Sequence, residues 1–180
     1  MRPLVDRARL DALLEAMGRE DRGPARVYLV GGATALLRGW RESTIDVDLR
    51  IEPDSAPLLR SFPELKRRLD ISLELASPVD FLPELPGWRE RSRFLRREGS
   101  LDVFEFDWYS QALAKIERGF EQDLGDVRRM FAEGLVQGPR LLELLARIEP
   151  ELYRFPAVDP DALREDVERA VKEFGGGEST

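Results

Sequence analysis

The chain contains no cysteine, no histidine and no asparagine. Without cysteine there is no disulfide framework and no thiolate metal site. Without histidine there is no imidazole base, no Ser-His-Asp triad and no ordinary zinc site. Any catalysis must therefore draw on carboxylates, Lys, Arg, Tyr or a bound metal. The lack of asparagine, with Arg and Glu frequent, resembles the avoidance of heat-labile residues in some thermophiles. No apolar run approaches the ~20 residues that span a bilayer, so no membrane partner is expected. The opening segment Met1-Arg2-Pro3-Leu4-Val5-Asp6 turns acidic early and carries no signal-peptide stretch, which predicts a cytoplasmic protein. Basic charge is also in deficit. The net charge of -7 disfavours broad nucleic-acid binding, and no recognition of DNA sequence is expected.

What is present suits a folded domain. At 180 residues, 42% of them hydrophobic and 35% charged, the chain has enough apolar material for a core and enough charge for a solvated surface. Helical spacing of Leu10, Leu13, Leu14 and Met17 predicts an amphipathic helix over 5–17. Arg26 to Val30 reads as a buried strand, and Ala33 to Arg38 as a short helix after Gly31-Gly32. Thr44 to Ile51 alternates Ile45, Val47, Leu49 and Ile51 against Asp46, Asp48 and Arg50, a strand with one apolar face. A helix introduced by Pro53 and Pro57 runs through Arg68. Leu69 to Leu75 alternates again, with Asp70, Ser72 and Glu74 on the polar side. A proline-rich loop follows, then a hairpin from Arg93–Arg97 and Leu101–Phe106. From Ser110 onward the pattern is helical, ending in a helix capped by Asp159-Pro160. The expected architecture is α+β: a mixed β-sheet flanked by helices over 1–109, a helical C-terminal part over 110–174 packed on that core, and a flexible tail over 175–180.

The chemistry concentrates in one segment. An apolar run, Val27-Tyr28-Leu29-Val30, ends in Gly31-Gly32, whose bare backbone lets phosphate approach. A helix follows, and helix N-termini stabilise anions through free N–H groups. Asp46 and Asp48 then lie two apart in a strand, on one face and roughly 6.6 Å apart along it. Magnesium is held by one or two carboxylates with substrate phosphates and waters, and two ions ~3.5–4 Å apart clamp the attacking and leaving oxygens of a phosphoryl-type transfer. A third carboxylate from a neighbouring strand completes such a site. Glu74 and Asp70 both qualify, with Glu74 favoured by its mid-strand position. Taken singly, Asp-x-Asp reads as a solvated strand face and Gly-Gly as a turn; it is their combination that points to a triphosphate site.

Val30-Gly31-Gly32-Ala33, then Arg41, then Ser43-Thr44-Ile45-Asp46-Val47-Asp48-Leu49 resembles the signature of the DNA polymerase β-like nucleotidyltransferase superfamily. Lys115-Ile116-Glu117-Arg118-Gly119 with Asp123-Leu124-Gly125-Asp126-Val127 is similar to the helical part of its bacterial branch related to AbiE-type toxins. The resemblance implies that Gly31 and Gly32 bind triphosphate, with a hydroxyl contact from Thr34 or Ser43. It implies that Asp46 and Asp48 bind magnesium, that Glu74 is the third carboxylate and assists deprotonation of the attacking hydroxyl, and that Lys115 reaches the phosphates. It further implies NTP as substrate, two Mg2+ ions, an RNA (tRNA) or protein acceptor, and a toxin with a cognate antitoxin. Many superfamily members carry Gly-Ser where this chain has Gly31-Gly32; the toxin-like branch also uses the double glycine.

The residues leave other readings open. Lys115 and Arg118 share a helix face, and the plainer reading pairs them with Glu117, Glu121 or solvent. Asp123 and Asp126 read as ion-pair partners of Arg118, Arg128 or Arg129 rather than metal ligands. The basic run Trp88 to Arg97 offers an RNA contact with Trp88 stacking on a base, against the plainer reading of a solvated face paired with nearby acids. A non-catalytic nucleotide sensor or interaction module on the same fold is the alternative to an enzyme.

Overall fold

The computed structural model describes residues 3–177. The expected tail therefore lies in part, at residues 178–180, outside the described residues. The architecture is α+β, and among the described residues the chain divides into two compact units, one of residues 3–77 and 92–106, the other of 78–91 and 107–177. No helix among the described residues is long and apolar enough to cross a membrane.

The first unit is built on a five-stranded mixed sheet. Its strands are β1 (Ala25–Val30), β2 (Asp46–Glu52), β3 (Ser72–Leu75), β4 (Arg93–Glu98) and β5 (Leu101–Glu105), in the spatial order β3-β2-β1-β5-β4. β1 is central, antiparallel to β2 and parallel to β5. β2 pairs in parallel with the edge strand β3, and β4 closes the other edge as an antiparallel hairpin with β5. Alternation decides the faces. Val27, Leu29, Val47, Leu49, Ile51, Leu73, Leu101 and Val103 form one core with residues of α1 (Arg7–Glu20), α2 (Gly32–Leu37) and α3 (Ala56–Leu69). The opposite face takes the intervening residues, among them Asp46, Asp48, Arg50 and Glu74.

Two helices of this unit, α1 and α3, begin where a side chain satisfies a free N–H group. The Asp6 carboxylate accepts from Arg9 N–H at the start of α1, and Ser55 Oγ accepts from Leu58 N–H at the start of α3. The core helix α1 matches the predicted amphipathic stretch, with Leu10, Leu13 and Met17 fully buried. Three expectations shift. Ile45, expected on the apolar face of its strand, is exposed, because β2 starts only at Asp46. The alternation from Leu69 to Leu75 begins as helix: α3 runs through Leu69, Asp70 turns the chain with φ 51°, and β3 starts only at Ser72. Leu75, on the apolar side of that alternation, is exposed, because β3 is an edge strand and ends there.

The second unit is helical: α4 (Trp88–Arg91), α5 (Trp108–Arg118), α6 (Glu121–Ala132), α7 (Gly138–Ile148) and α8 (Pro160–Phe174). Leu113, Ile116, Val127, Met130, Leu141, Leu145 and Val167 are buried along these helices at the predicted helical spacing. Asp107 caps α5 by accepting from Ser110 N–H and Oγ–H and pairs with Arg91 at 2.8 Å. Asp159 caps α8, with Pro160 in its first turn.

Candidate functional site

β1 ends at the bend that the sequence marked. Gly31 adopts φ 59° and ψ -122°, which residues with a Cβ avoid. Its carbonyl accepts from Ala35 N–H at 3.0 Å and from the Thr34 hydroxyl at 2.8 Å, closing the first turn of α2. The Thr34 hydroxyl proton is thus directed at the bend itself. Gly32 is a glycine for a different reason: its φ is not in the left-handed region, but a Cβ there would land on the Thr44 hydroxyl.

β2 starts alongside this bend and carries the aspartates. Asp48 stands opposite Val30, the residue before Gly31, and a Cβ on Gly31 would lie 3.7 Å from Asp48 Oδ2. The Asp48 carboxylate therefore sits directly beside the bare backbone of the bend. Asp46, two residues earlier, shares that face of β2, and both are half-buried. On the other side, Asp48 pairs in register with Glu74 and Asp46 with Ser72. Register partners on adjacent strands project to the same face, so Asp46, Asp48 and Glu74 share one surface, with Glu74 at its exposed edge. Asp70 is not on it: it caps α3 and lies 3.6 Å from Arg9. Ser43 is half-buried in the segment leading into Thr44 and β2.

Among the described residues no three acidic side chains gather closely enough to cage a metal ion. Magnesium does not need such a cage, since it takes one or two carboxylates and completes its shell with phosphate and water. Asp46 and Asp48 beside a glycine bend have the donor chemistry for that mode.

Lys115 belongs to the second unit, where its environment is distinctive. Its ammonium is buried and held by Asp126 at 2.8 Å and Asp123 at 3.1 Å, and Asp123 also takes a two-pronged contact from Arg118 at 2.6 and 2.7 Å. Burial pushes the Asp123 carboxyl up, but the Arg118 hydrogen bonds and the neighbouring Lys115 outweigh it and hold the group below the ordinary carboxylate range. This is the ion-pair reading of Asp123 and Asp126, with Lys115 as a partner that the sequence did not single out.

Among the described residues, four of the five arginines of the basic run, all but Arg93, stand in ion pairs. Arg89 contacts Glu84, Arg91 contacts Asp107, Arg96 contacts Asp11 and Glu98, and Arg97 contacts Asp102. Trp88 is 1% exposed with its indole N–H on Glu84, so it offers no face for a base to stack on. Phe104 stacks on Tyr28 and Phe106 is fully buried, which makes them packing residues.

Two contributors near the bend carry no local sequence signal. Thr44 wedges under Gly32. Arg38, which ends α2, makes a two-pronged pair with the buried Glu105 at 2.9 and 3.0 Å across 67 positions of chain.

A strand, a glycine bend, a short helix and an Asp-x-Asp strand antiparallel to the first define a nucleotidyltransferase-like α+β core. In agreement, a family described as "Nucleotidyltransferase of unknown function (DUF6036)" matches residues 8–155, and the chain belongs to it. No curated protein and no solved structure matches the chain.

Proposed function

We propose that the protein is a magnesium-dependent nucleotidyltransferase of the DNA polymerase β-like type. In the reaction, an acceptor hydroxyl oxygen attacks the α-phosphorus of an NTP. The bond from that phosphorus to the β-phosphate bridging oxygen breaks, pyrophosphate leaves, and the hydroxyl proton passes to a base. The observation that carries the reading is the Asp48 carboxylate standing 3.7 Å from the position of a Gly31 Cβ, a cation-binding group beside the bare backbone of the bend.

Within this reading Gly31 and Gly32 pass the triphosphate close to the main chain. Asp46 and Asp48 hold magnesium, and Glu74, in register with Asp48 and exposed, receives the acceptor proton. Bound magnesium supplies charge neutralisation for the triphosphate and the leaving pyrophosphate. Thr34 contributes by fixing the bend through Gly31, and Ser43 by its hydroxyl at the entry to β2. A phosphate contact from Lys115, as the family resemblance assigns, requires its ammonium to exchange Asp123 and Asp126 for phosphate. The toxin-like resemblance favours a tRNA or protein acceptor, a cognate antitoxin and a cytoplasmic setting. A second reading is a nucleotide-sensing or protein-interaction module on the same fold, which binds without turnover.

The test is incubation with each labelled NTP, magnesium, and total tRNA or lysate. Label transfer should fall more than about 100-fold in Asp46→Ala and Asp48→Ala, beyond the 10–100-fold typical of residues that only support a metal ligand. Transfer that survives Asp46→Ala would remove the site. Calorimetric NTP binding without any transfer would favour the second reading.

A further inference from the structure

We infer that Thr44 is the positioning residue that couples the glycine bend to the aspartate strand, an inference that rests on reading these two elements as the halves of one nucleotide site. The two halves reach the site from opposite directions. Gly31-Gly32 leaves β1 into α2, while Asp46 opens β2 after the loop that follows α2. Thr44 touches both. Its hydroxyl occupies the space where a Cβ on residue 32 would be, and its Cβ lies 2.9 Å from that same point. The hydroxyl donates to the Asp46 carbonyl at 3.1 Å.

The residue is itself held from behind. Val5, fully buried, exchanges two backbone hydrogen bonds with Thr44: Val5 N–H to Thr44 O at 2.7 Å, and Thr44 N–H to Val5 O at 2.9 Å. Thr44 is 9% exposed, so its hydroxyl has little water to turn to. A fixed post therefore carries a side chain that meets the glycine bend by packing and Asp46 by a hydrogen bond. The distance between the triphosphate-facing backbone and the first metal-binding carboxylate is set through this one side chain. Sites of this kind need their groups held to within ~0.5 Å, which supporting residues provide.

The test compares Thr44→Val, which keeps the shape and loses the donor, with Thr44→Ser, which keeps the donor. Two readouts are taken. The first needs no nucleotide: hydrogen exchange of the Ala35 amide, which is bonded to Gly31 O, against the Phe106 amide, which is bonded to Leu29 O in the same unit. Thr44→Val should speed Ala35 exchange by about tenfold or more while Phe106 stays within about twofold, and Thr44→Ser should restore Ala35. The second readout is calorimetric affinity for each magnesium NTP, which should fall by about tenfold in Thr44→Val and recover in Thr44→Ser. If Thr44→Val does not fold, Gly32→Ala, whose methyl displaces the Thr44 hydroxyl, should accelerate Ala35 in the same way. Unchanged Ala35 exchange, or equal acceleration at Ala35 and Phe106, overturns the inference. Accelerated Ala35 exchange in a protein that binds no NTP leaves the coupling standing and overturns the nucleotide reading instead.

Discussion

Replacing Lys115 with Met should cost about 3–5 kcal/mol of folding stability, the range for removing one partner of a buried ion pair. The side chains of Lys115, Asp123 and Asp126 are 6–7% exposed, and the Lys115 ammonium lies between the two carboxylates at 3.1 and 2.8 Å. Together with Arg118 the cluster holds two positive and two negative charges. Lys115→Met removes one positive charge from the buried part, leaving Asp123 with the half-exposed Arg118 and taking the ammonium from Asp126. Arg118→Ala should cost far less, about 1 kcal/mol, because its head group is already in water and Lys115 still faces Asp123. Against a total stability of about 5–15 kcal/mol, the Lys115 loss is large enough to unfold a marginal domain. Urea unfolding followed by tryptophan emission measures both variants, since the buried Trp88 and Trp108 lie in the same unit as the cluster. A Lys115→Met protein within about 1 kcal/mol of wild type would refute the argument, because two desolvated carboxylates would then have lost their cation at no cost. The result also governs how activity is read: loss of transfer in a Lys115 variant counts as a lost phosphate contact only in protein shown to be folded.

Acid should destabilise the first unit through Asp21. Burial raises its carboxyl, but hydrogen bonds from the Ser55 and Ser100 hydroxyls, at 2.6 and 2.7 Å, and from the Gly23 and Arg22 backbone outweigh this and hold it below the ordinary carboxylate range. A group depressed in the folded state contributes stability that is complete above its unfolded pKa and is lost as pH falls through the folded value. Urea midpoints of wild type should therefore fall below about pH 4, and Asp21→Asn should flatten that limb; an unchanged acid limb in Asp21→Asn would count against it. Gly18→Ala should destabilise by about 1–2 kcal/mol, although glycine to alanine inside a helix ordinarily gains about 1. The added methyl would stand 2.5 Å from Glu98 O and 2.7 Å from Glu98 C, backbone that cannot swing aside. A raised melting temperature in Gly18→Ala would show that this close approach relaxes.

Whether a feature could be read from the sequence depended on how locally its cause acts. The alternation of Val47, Leu49 and Ile51 against Asp46 and Asp48 sets both faces of β2 by itself, and a strand places them correctly whatever lies beside it. Gly31 was legible for the same reason, since its left-handed φ is a property of one residue. Gly32 was legible only as half of a pair. Its true constraint, Thr44, lies across a chain reversal, and a threonine before an Asp-x-Asp strand looks like any β-branched residue. At Leu69 the period of two reads as strand, yet α3 runs through it, because Leu65 and Leu69 stand four apart on one helix face, and Asp70 caps that helix. The run Trp88 to Arg97 looked like one basic face, but it is cut between α4 and β4, and its cations meet acids as distant as Asp11. Charge neutralisation at long range leaves no pattern in the chain. The carboxylates of the candidate site follow the same division. The spacing of Asp46 and Asp48 is a fact of one strand, whereas the pairing of Asp48 with Glu74 depends on α3 returning the chain so that β3 lies parallel to β2 in one register. A slip of one residue there would turn Glu74 to the opposite face. Glu74 therefore stands on the site only while the packing of Leu58, Phe62 and Leu65 keeps α3 in place, and a third carboxylate is harder to read from sequence than the first two for that physical reason.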